Sequence, residues 1–330
     1  MTPCSARLSV APMLDWTDDA FRYVARLLTK RTLLYTEMIA AQAVVHGDAE
    51  RLLSFDLSEK PLVLQLGGSD PETLAKACAV AKAFDYDGIN LNAGCPSARV
   101  AAGDFGVVLR RDPDKIADCL RAMRESSGLP VSLKTRIALE ETTSGTDGFD
   151  DLCRCVEKAA AVGVSDFVIH ARKARLKGFT PKQNRERLSI DYDVVYRLKE
   201  AFPHLHVTIN GDIKTLDDAL THLKRTDGAM IGRAAYADPM MLAKADSVIF
   251  GDAEESIEDP ASVVLRTEKY ITDKINKGMM LAPLVRPLAN LFKGRPGAAL
   301  WRRTLTENAF LPQADFKTVA EALKSVIPSF

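Results

Sequence analysis

No run of eighteen apolar residues occurs in this 330-residue chain, so the sequence predicts no membrane-spanning helix. The opening MTPCSARLSVAPM lacks an apolar stretch behind a basic start, and no signal peptide is expected. Neither sign of charge is in excess. The 44 Lys and Arg balance 44 Asp and Glu, which excludes a uniformly basic coat but not a local basic patch. The six cysteines, Cys4, Cys78, Cys95, Cys119, Cys153 and Cys155, form no spaced framework, and read as reduced thiols of an intracellular, cytoplasmic protein. Cys153 and Cys155 sit two apart on a predicted helix, about 200° around its axis, so they would not chelate one metal. No metal site is expected. A Gly-rich nucleotide fingerprint after the first strand is also missing, for that position reads APMLDWTD.

What is present is an ordinary globular composition, 47% hydrophobic and 27% charged, long enough for one large domain and a smaller one. Short apolar strands alternate with helical stretches. The predicted strands are Ser9 to Met13, Leu33 to Met38, Leu62 to Leu66, Gly88 to Asn92, Val131 to Ile137, Asp166 to His170, Val207 to Asn210 and Ala229 to Ile231. Helices are predicted over Thr17 to Thr29, from Asp70-Pro71 to Phe84, from Asp112-Pro113 to Glu125, over Asp150 to Val162 and over Asp191 to Ala201. A polar loop, ETTSGTDGF, follows the fifth strand. Eight such units in roughly 240 residues suit an α/β fold of the (β/α)8 TIM-barrel kind, with a doubly wound sheet as the alternative. After Tyr236 the texture changes. GDAEESIEDP reads as a linker or cap, and helical stretches follow: Asp259 to about Gly278, Ala282 to Phe292, Gly297 to Asn308 and Phe316 to Val326. The expected division is a barrel over residues 1–245 and a small all-helical C-terminal domain over 246–330.

The central stretch is GINLNAGCPSARVAAGDFG, Gly88 to Gly106. Ile89 and Leu91 alternate with Asn90 and Asn92, and buried amides need partners. Cys95 follows on a loop just past the strand. A thiol there can serve as nucleophile, metal ligand or proton donor.

In a barrel, chemistry sits at the C-terminal ends of the strands. Here those ends carry Gln65, Asn92 with Cys95, Lys134 with Arg136, His170 with Arg172, Asn210-Gly211-Asp212 and Gly232-Arg233. Each has a structural explanation taken singly, but together they crowd one mouth. Gly211, Gly232 and Arg233 mark the usual phosphate site of a barrel. Lys134 would either stabilise an anionic ring, such as a reduced flavin, or form a Schiff base. After strand six, ARKARLKGFTPKQNRER reads as a loop with seven basic residues and one acid, Glu186. Farther on, Arg286, Lys293, Arg295, Arg302 and Arg303 lie beside Phe292 and Trp301. That mixture suits a phosphodiester backbone and unstacked bases.

APMLDWTD, LYTEM, LQLGGSDP, INLNAGCPS, HARKARLKG and GRAAY together resemble the tRNA-dihydrouridine synthases, over nearly the whole chain. HARKA, LKG, PK, NRE and the late PGA–WRR element resemble the subfamily acting on uridines 20 and 20a of the tRNA D-loop. The resemblance implies FMN as cofactor, NADPH as reductant and tRNA as partner, with no membrane and no obligate protein partner. Hydride would go to carbon 6 of a flipped uracil, and Cys95 would protonate carbon 5. Ala11, Pro12 and Met13 would lie along the flavin, Gln65 at its polar edge, and Lys134 and His170 at the ring. Asn210, Gly211, Asp212, Gly232 and Arg233 would hold its phosphate. Asn92, Lys182, Arg185 and Arg302 would touch tRNA, as would the position of Ala299. Three departures stand out. Asp212 replaces an expected Gly, Ala299 an expected Arg and Pro287 an expected His. Competing functions are an FMN-dependent barrel reductase of a free pyrimidine or another small conjugated substrate, a Schiff-base lyase using Lys134, and a non-catalytic tRNA-binding factor.

Overall fold

The computed structural model describes residues 4–140, 148–253 and 259–327. The ETTSGTDGF loop and the acidic GDAEESIEDP stretch fall largely outside the described residues. Eight parallel strands form one sheet: β1 (Leu8–Val10), β2 (Leu34–Ala40), β3 (Leu62–Gly67), β4 (Gly88–Ala93), β5 (Val131–Arg136), β6 (Asp166–His170), β7 (His206–Asn210) and β8 (Gly228–Ile231). Their order runs β1-β8-β7-β6-β5-β4-β3-β2. The cylinder closes between β1 and β2, where Val10 N–H donates to Leu33 O (2.9 Å) and Leu33 N–H to Leu8 O (3.1 Å). This is the (β/α)8 barrel that the alternation of strands and helices implies. Among the described residues no helix is long and apolar enough to cross a membrane.

The two-residue period of a strand sorts the side chains. Ile89, Leu91, Leu133, Phe167, Ile169, Val207 and Ile209 point outward and pack under the helices in one buried cluster. Tyr35, Val63, Val168 and Met230 point inward with Cys4 and Ala11. Asn90, Asn92 and Lys134 share the inward parity. The helices begin where their caps dictate. Asp18, Asp70, Asp112 and Asp191 each accept a first-turn N–H, opening helices Asp19–Leu28, Pro71–Ala81, Pro113–Ser127 and Tyr192–Ala201.

Several boundaries differ from expectation. β1 stops at Val10, because its register with β8 ends at Ile231 and only one further ladder bond, Ala11 N–H to Ile231 O (2.8 Å), extends it. The segment after β6 is not all loop: Pro181–Glu186 is helical, opened by a Thr180–Gln183 capping box. The tail helix expected from Asp259 to Gly278 divides at Thr267. There the buried hydroxyl bonds Val264 O (2.6 Å) and competes with the helical ladder. Leu281–Val285 gives way to a 3-10 turn over Arg286–Asn290, because Pro287 has no N–H to continue the ladder. Helices Ala298–Asn308 and Phe316–Leu323 complete a helical C-terminal region.

This region packs on the helix that follows β1. Tyr23 stacks on Tyr270 (4.2 Å between centroids), and Lys274 pairs with Asp19.

Candidate active site

The mouth is assembled by register. Asn92 lies beside Lys134, Arg136 beside His170, His170 beside Asn210, and Asn210 beside Met230. Each pair shares a face because paired residues on neighbouring strands point the same way.

On one side, buried amides form a chain. Asn90 Nδ2 donates to Ser132 Oγ (2.9 Å), Gln65 Nε2 to Asn90 Oδ1 (2.7 Å) and Asn92 Nδ2 to Gln65 Oε1 (2.9 Å). A bulge in β2 turns Thr36 Oγ1 toward Gln65, whose backbone N–H donates to it (3.0 Å). At the end of this chain, Asn92 Oδ1 accepts the backbone N–H groups of Gly94 (3.1 Å) and Cys95 (3.0 Å). The Cys95 carbonyl accepts Val107 N–H (3.0 Å). Gly106, at φ +70°, closes this loop, and a Cβ there would stand 2.7 Å from the Cys95 carbonyl oxygen. The half-buried thiol is therefore held from both sides of its backbone and is not in a disulfide.

Beside it lie two cations on β5. Lys134 Nζ donates to Asn210 Oδ1 (3.1 Å). Burial pushes this amine down to about 7, with Arg136 adding to the shift and Cys95 opposing it. Arg136 Nε donates to Gly94 O (3.0 Å) and its Nη1 to Lys173 O (2.9 Å), so one guanidinium ties the cysteine loop to the basic segment after β6. Burial holds His170 well below the ordinary imidazole range, helped by Arg136, Lys134, Arg172 and Arg233. It is uncharged at neutral pH.

At the far end, Asn210 Nδ2 donates to Met230 O (2.8 Å), and the Gly211 carbonyl accepts from Tyr192 Oη (2.8 Å). Gly211 adopts φ +125°, and a Cβ there would meet Ile190 at 3.1 Å and His170 at 3.5 Å. Asp212, also left-handed at φ +54°, faces Arg172 (3.7 Å), Lys214 (3.5 Å) and Arg233 (3.5 Å). Arg233 also faces Glu186 (3.7 Å). Gly232 lies against Ala11 and Met13, bringing the ends of β1 and β8 together. Pro12 between them is half-buried.

The basic segment is less uniform than its composition. Arg172 is buried and donates to Leu188 O (2.9 Å), and Arg175 pairs with Glu140. Asn184, fully buried, bonds Arg175 N–H and carbonyl (both 2.8 Å) and fixes the segment's shape. Arg185 is half-buried, and burial pushes its pKa down, with Arg233 adding to the fall and Glu186 and Cys95 opposing it. Lys182 is exposed, as are Ala299 and Arg302 on the tail helix. One expectation fails here. Phe292 and Trp301 are core residues in edge contact (5.1 Å), and Trp301 Nε1 donates to Leu288 O (3.0 Å), so neither can stack on a base. Their apolar bulk is needed to seat the tail. The organising roles of Arg136 and Asn184 were not expected from the sequence. Strand parity points Arg136 inward, and Asn184 lies in the NRE element, which gives no sign of its buried bonds to Arg175.

Among the described residues three buried polar atoms at this mouth have no partner: His170 Nδ1, Arg172 Nη1 and Arg185 Nε. Buried donors without partners are costly and point to a ligand with acceptor atoms. Together with the Gly211 and Gly232 turns, they fit a phosphorylated aromatic cofactor of the FMN kind.

Similarity to known proteins extends over nearly the whole chain. A family model described as "Dihydrouridine synthase (Dus)" matches residues 9–327. The chain belongs to the dihydrouridine synthase family. It is accordingly an oxidoreductase of that type. It is 46% identical over 323 residues to the "tRNA-dihydrouridine(20/20a) synthase" of Shigella flexneri, covering 98% of this chain and 94% of that one. Its identity to the protein of the same description from Escherichia coli (strain K12) is 46%, covering 98% and 92%. With that from Vibrio parahaemolyticus it is 45%, covering 98% and 97%. Among solved structures, a 2-naphthoyl-CoA reductase complex superposes with a TM-score of 0.55 at 10% identity, over 74% of this chain and 50% of that one. That likeness is one of fold.

Proposed function

We propose that this dihydrouridine synthase reduces the 5,6 double bond of D-loop uridines 20 and 20a in tRNA, using FMN and NADPH. The pinned Cys95 loop carries this reading. A thiol fixed by Asn92 and Val107 beside Lys134 can meet a substrate atom repeatedly in one geometry. The relatives described as tRNA-dihydrouridine(20/20a) synthases, matched over 94% and 92% of their own lengths, support the choice of uridines.

FMN, once bound and reduced by NADPH, would supply the hydride for carbon 6 of the uracil. Cys95 Sγ gives its proton to carbon 5 and recovers one from solvent, so the base gains one hydride and one proton. Ala11, Pro12 and Met13 line the cofactor, and Gln65, already bound through Asn90 and Asn92, presents its amide edge. Lys134 and His170 would face the ring, while Asn210, Gly211, Asp212, Gly232 and Arg233 would surround the phosphate. Asn92 keeps one Nδ2 hydrogen for the extruded base. Arg185 stands near the thiol, and Lys182, Arg302 and the surface at Ala299 meet the tRNA backbone. In this reading residues 1–245 form the flavin-binding catalytic domain and 246–330 the tRNA-binding one, and the protein works in the cytoplasm.

The test is reconstitution of the purified protein with NADPH and unmodified tRNA, mapping dihydrouridine by nucleotide. Product at 20 and 20a supports the reading. Product elsewhere in the D-loop overturns the choice of uridine. A flavin-bound protein that reduces free uracil and ignores tRNA overturns the substrate.

A further inference from the structure

The residue after Gly211 occupies left-handed backbone, which glycine takes freely and a residue with a side chain takes at a cost. Here it is Asp212, at φ +54°. Its carboxylate sits among three cations from three different elements: Arg172 after β6, Lys214 after β7 and Arg233 after β8. The separations, 3.5 to 3.7 Å, exceed a charge-assisted hydrogen bond of about 2.7–2.9 Å. Among the described residues no cation holds this carboxylate tightly, and Arg172 keeps a buried Nη1 with no partner. This weakly bound anion, with Glu186 also facing Arg233 at 3.7 Å, occupies the position that an incoming anion would take.

We propose that Asp212 is an internal counter-ion of the apoprotein, holding Arg172, Lys214 and Arg233 together and competing with the flavin phosphate for them. This rests on the reading of the site as one for FMN. The carboxylate neutralises and orders the cations before the cofactor arrives. When a phosphate binds, it takes over these donors, and Asp212 must either turn toward the exposed Lys214 or remain and repel it. Either course weakens phosphate binding relative to a neutral residue. Asp212 thus sets how readily this protein exchanges its cofactor.

The experiment compares equilibrium binding of FMN and of riboflavin, which lacks the phosphate, to the apoprotein by flavin fluorescence. Wild type, Asp212→Asn and Asp212→Gly are measured at low and high salt. Asn removes only the charge, and Gly also removes the backbone cost, so one variant covers a folding failure of the other. The expected result is FMN binding about tenfold tighter in the variants at low salt, the gap narrowing as salt screens the site. Riboflavin affinity stays unchanged. The melting temperature of Asp212→Asn apoprotein falls and is recovered by inorganic phosphate. Equal or weaker FMN binding in both variants, or an equal shift for riboflavin, overturns the proposal alone. If wild type and variants bind neither flavin, the FMN reading fails and the proposal with it.

Discussion

Asn92 Oδ1 accepts the backbone N–H of Cys95 at 3.0 Å, so a strand residue fixed inside the barrel sets the position of the loop thiol. The same oxygen takes Gly94 N–H, and the same amide donates to Gln65. The thiol's place is thereby transmitted from Ser132 on β5 through three amides.

Replacing Cys95 with Ala removes the proton donor and leaves the loop's backbone bonds in place. Dihydrouridine formation should fall by about 10²–10⁴-fold, the usual worth of a positioned general acid. Flavin reduction by NADPH, followed by bleaching of the bound flavin, should keep its rate. A parallel loss of both would show a cofactor defect instead.

Asn92→Ala strands two backbone donors and one end of Gln65. The expected cost is about 1–3 kcal/mol of stability, as for other buried donors left without partners. Denaturant titration reads this directly. Unchanged stability would mean that water replaces the amide.

Lys134 gives a pH signature. Its amine titrates at about 7 when folded, against 10.5 for an ordinary lysine. Between those values the unfolded chain binds a proton that the folded chain lacks, so apoprotein stability rises with pH across this window. Below about 7 both states are protonated, and the buried charge exerts its full cost. Unfolding at pH about 6 and about 9 should show a smaller rise for Lys134→Met than for wild type. Equal rises would place the amine in contact with water.

Lys182→Ala and Arg302→Ala each remove one exposed cation. Each should weaken tRNA binding at all D-loop sequences and reduce the salt slope of the affinity by about 1. Ala299→Arg should act in the opposite sense. Filter binding over a salt series decides, and an unchanged slope would remove that position from the interface.

The parity of β4 was legible before any coordinates, because Ile-Asn-Leu-Asn leaves only one face for the amides. The mouth residues followed, since strand ends converge in a barrel. What could not be read was partnership across elements. The sequence places Arg172 at the mouth and in the basic segment, but its burial between Leu188 and Asp212 was not legible. The helix Pro181–Glu186 carried a legible start in Thr180-Pro181 and Gln183, yet no apolar stripe, so charge masked it. Trp301 and Phe292 beside arginines suited an RNA surface by composition. Burial decided otherwise, and burial depends on residues far away in sequence. The breaks at Thr267 and Pro287 depended on a local hydroxyl bond and on a missing N–H, neither of which helical periodicity registers.

The pairing of Tyr23 with Tyr270 and of Asp19 with Lys274 gives the chain a clasp between its first helix and its last quarter. During synthesis that helix leaves the ribosome long before its partners exist. Its final seating must wait until the tail has emerged. A growing chain still lacking Tyr270 and Lys274 would therefore leave this face of the first helix uncovered.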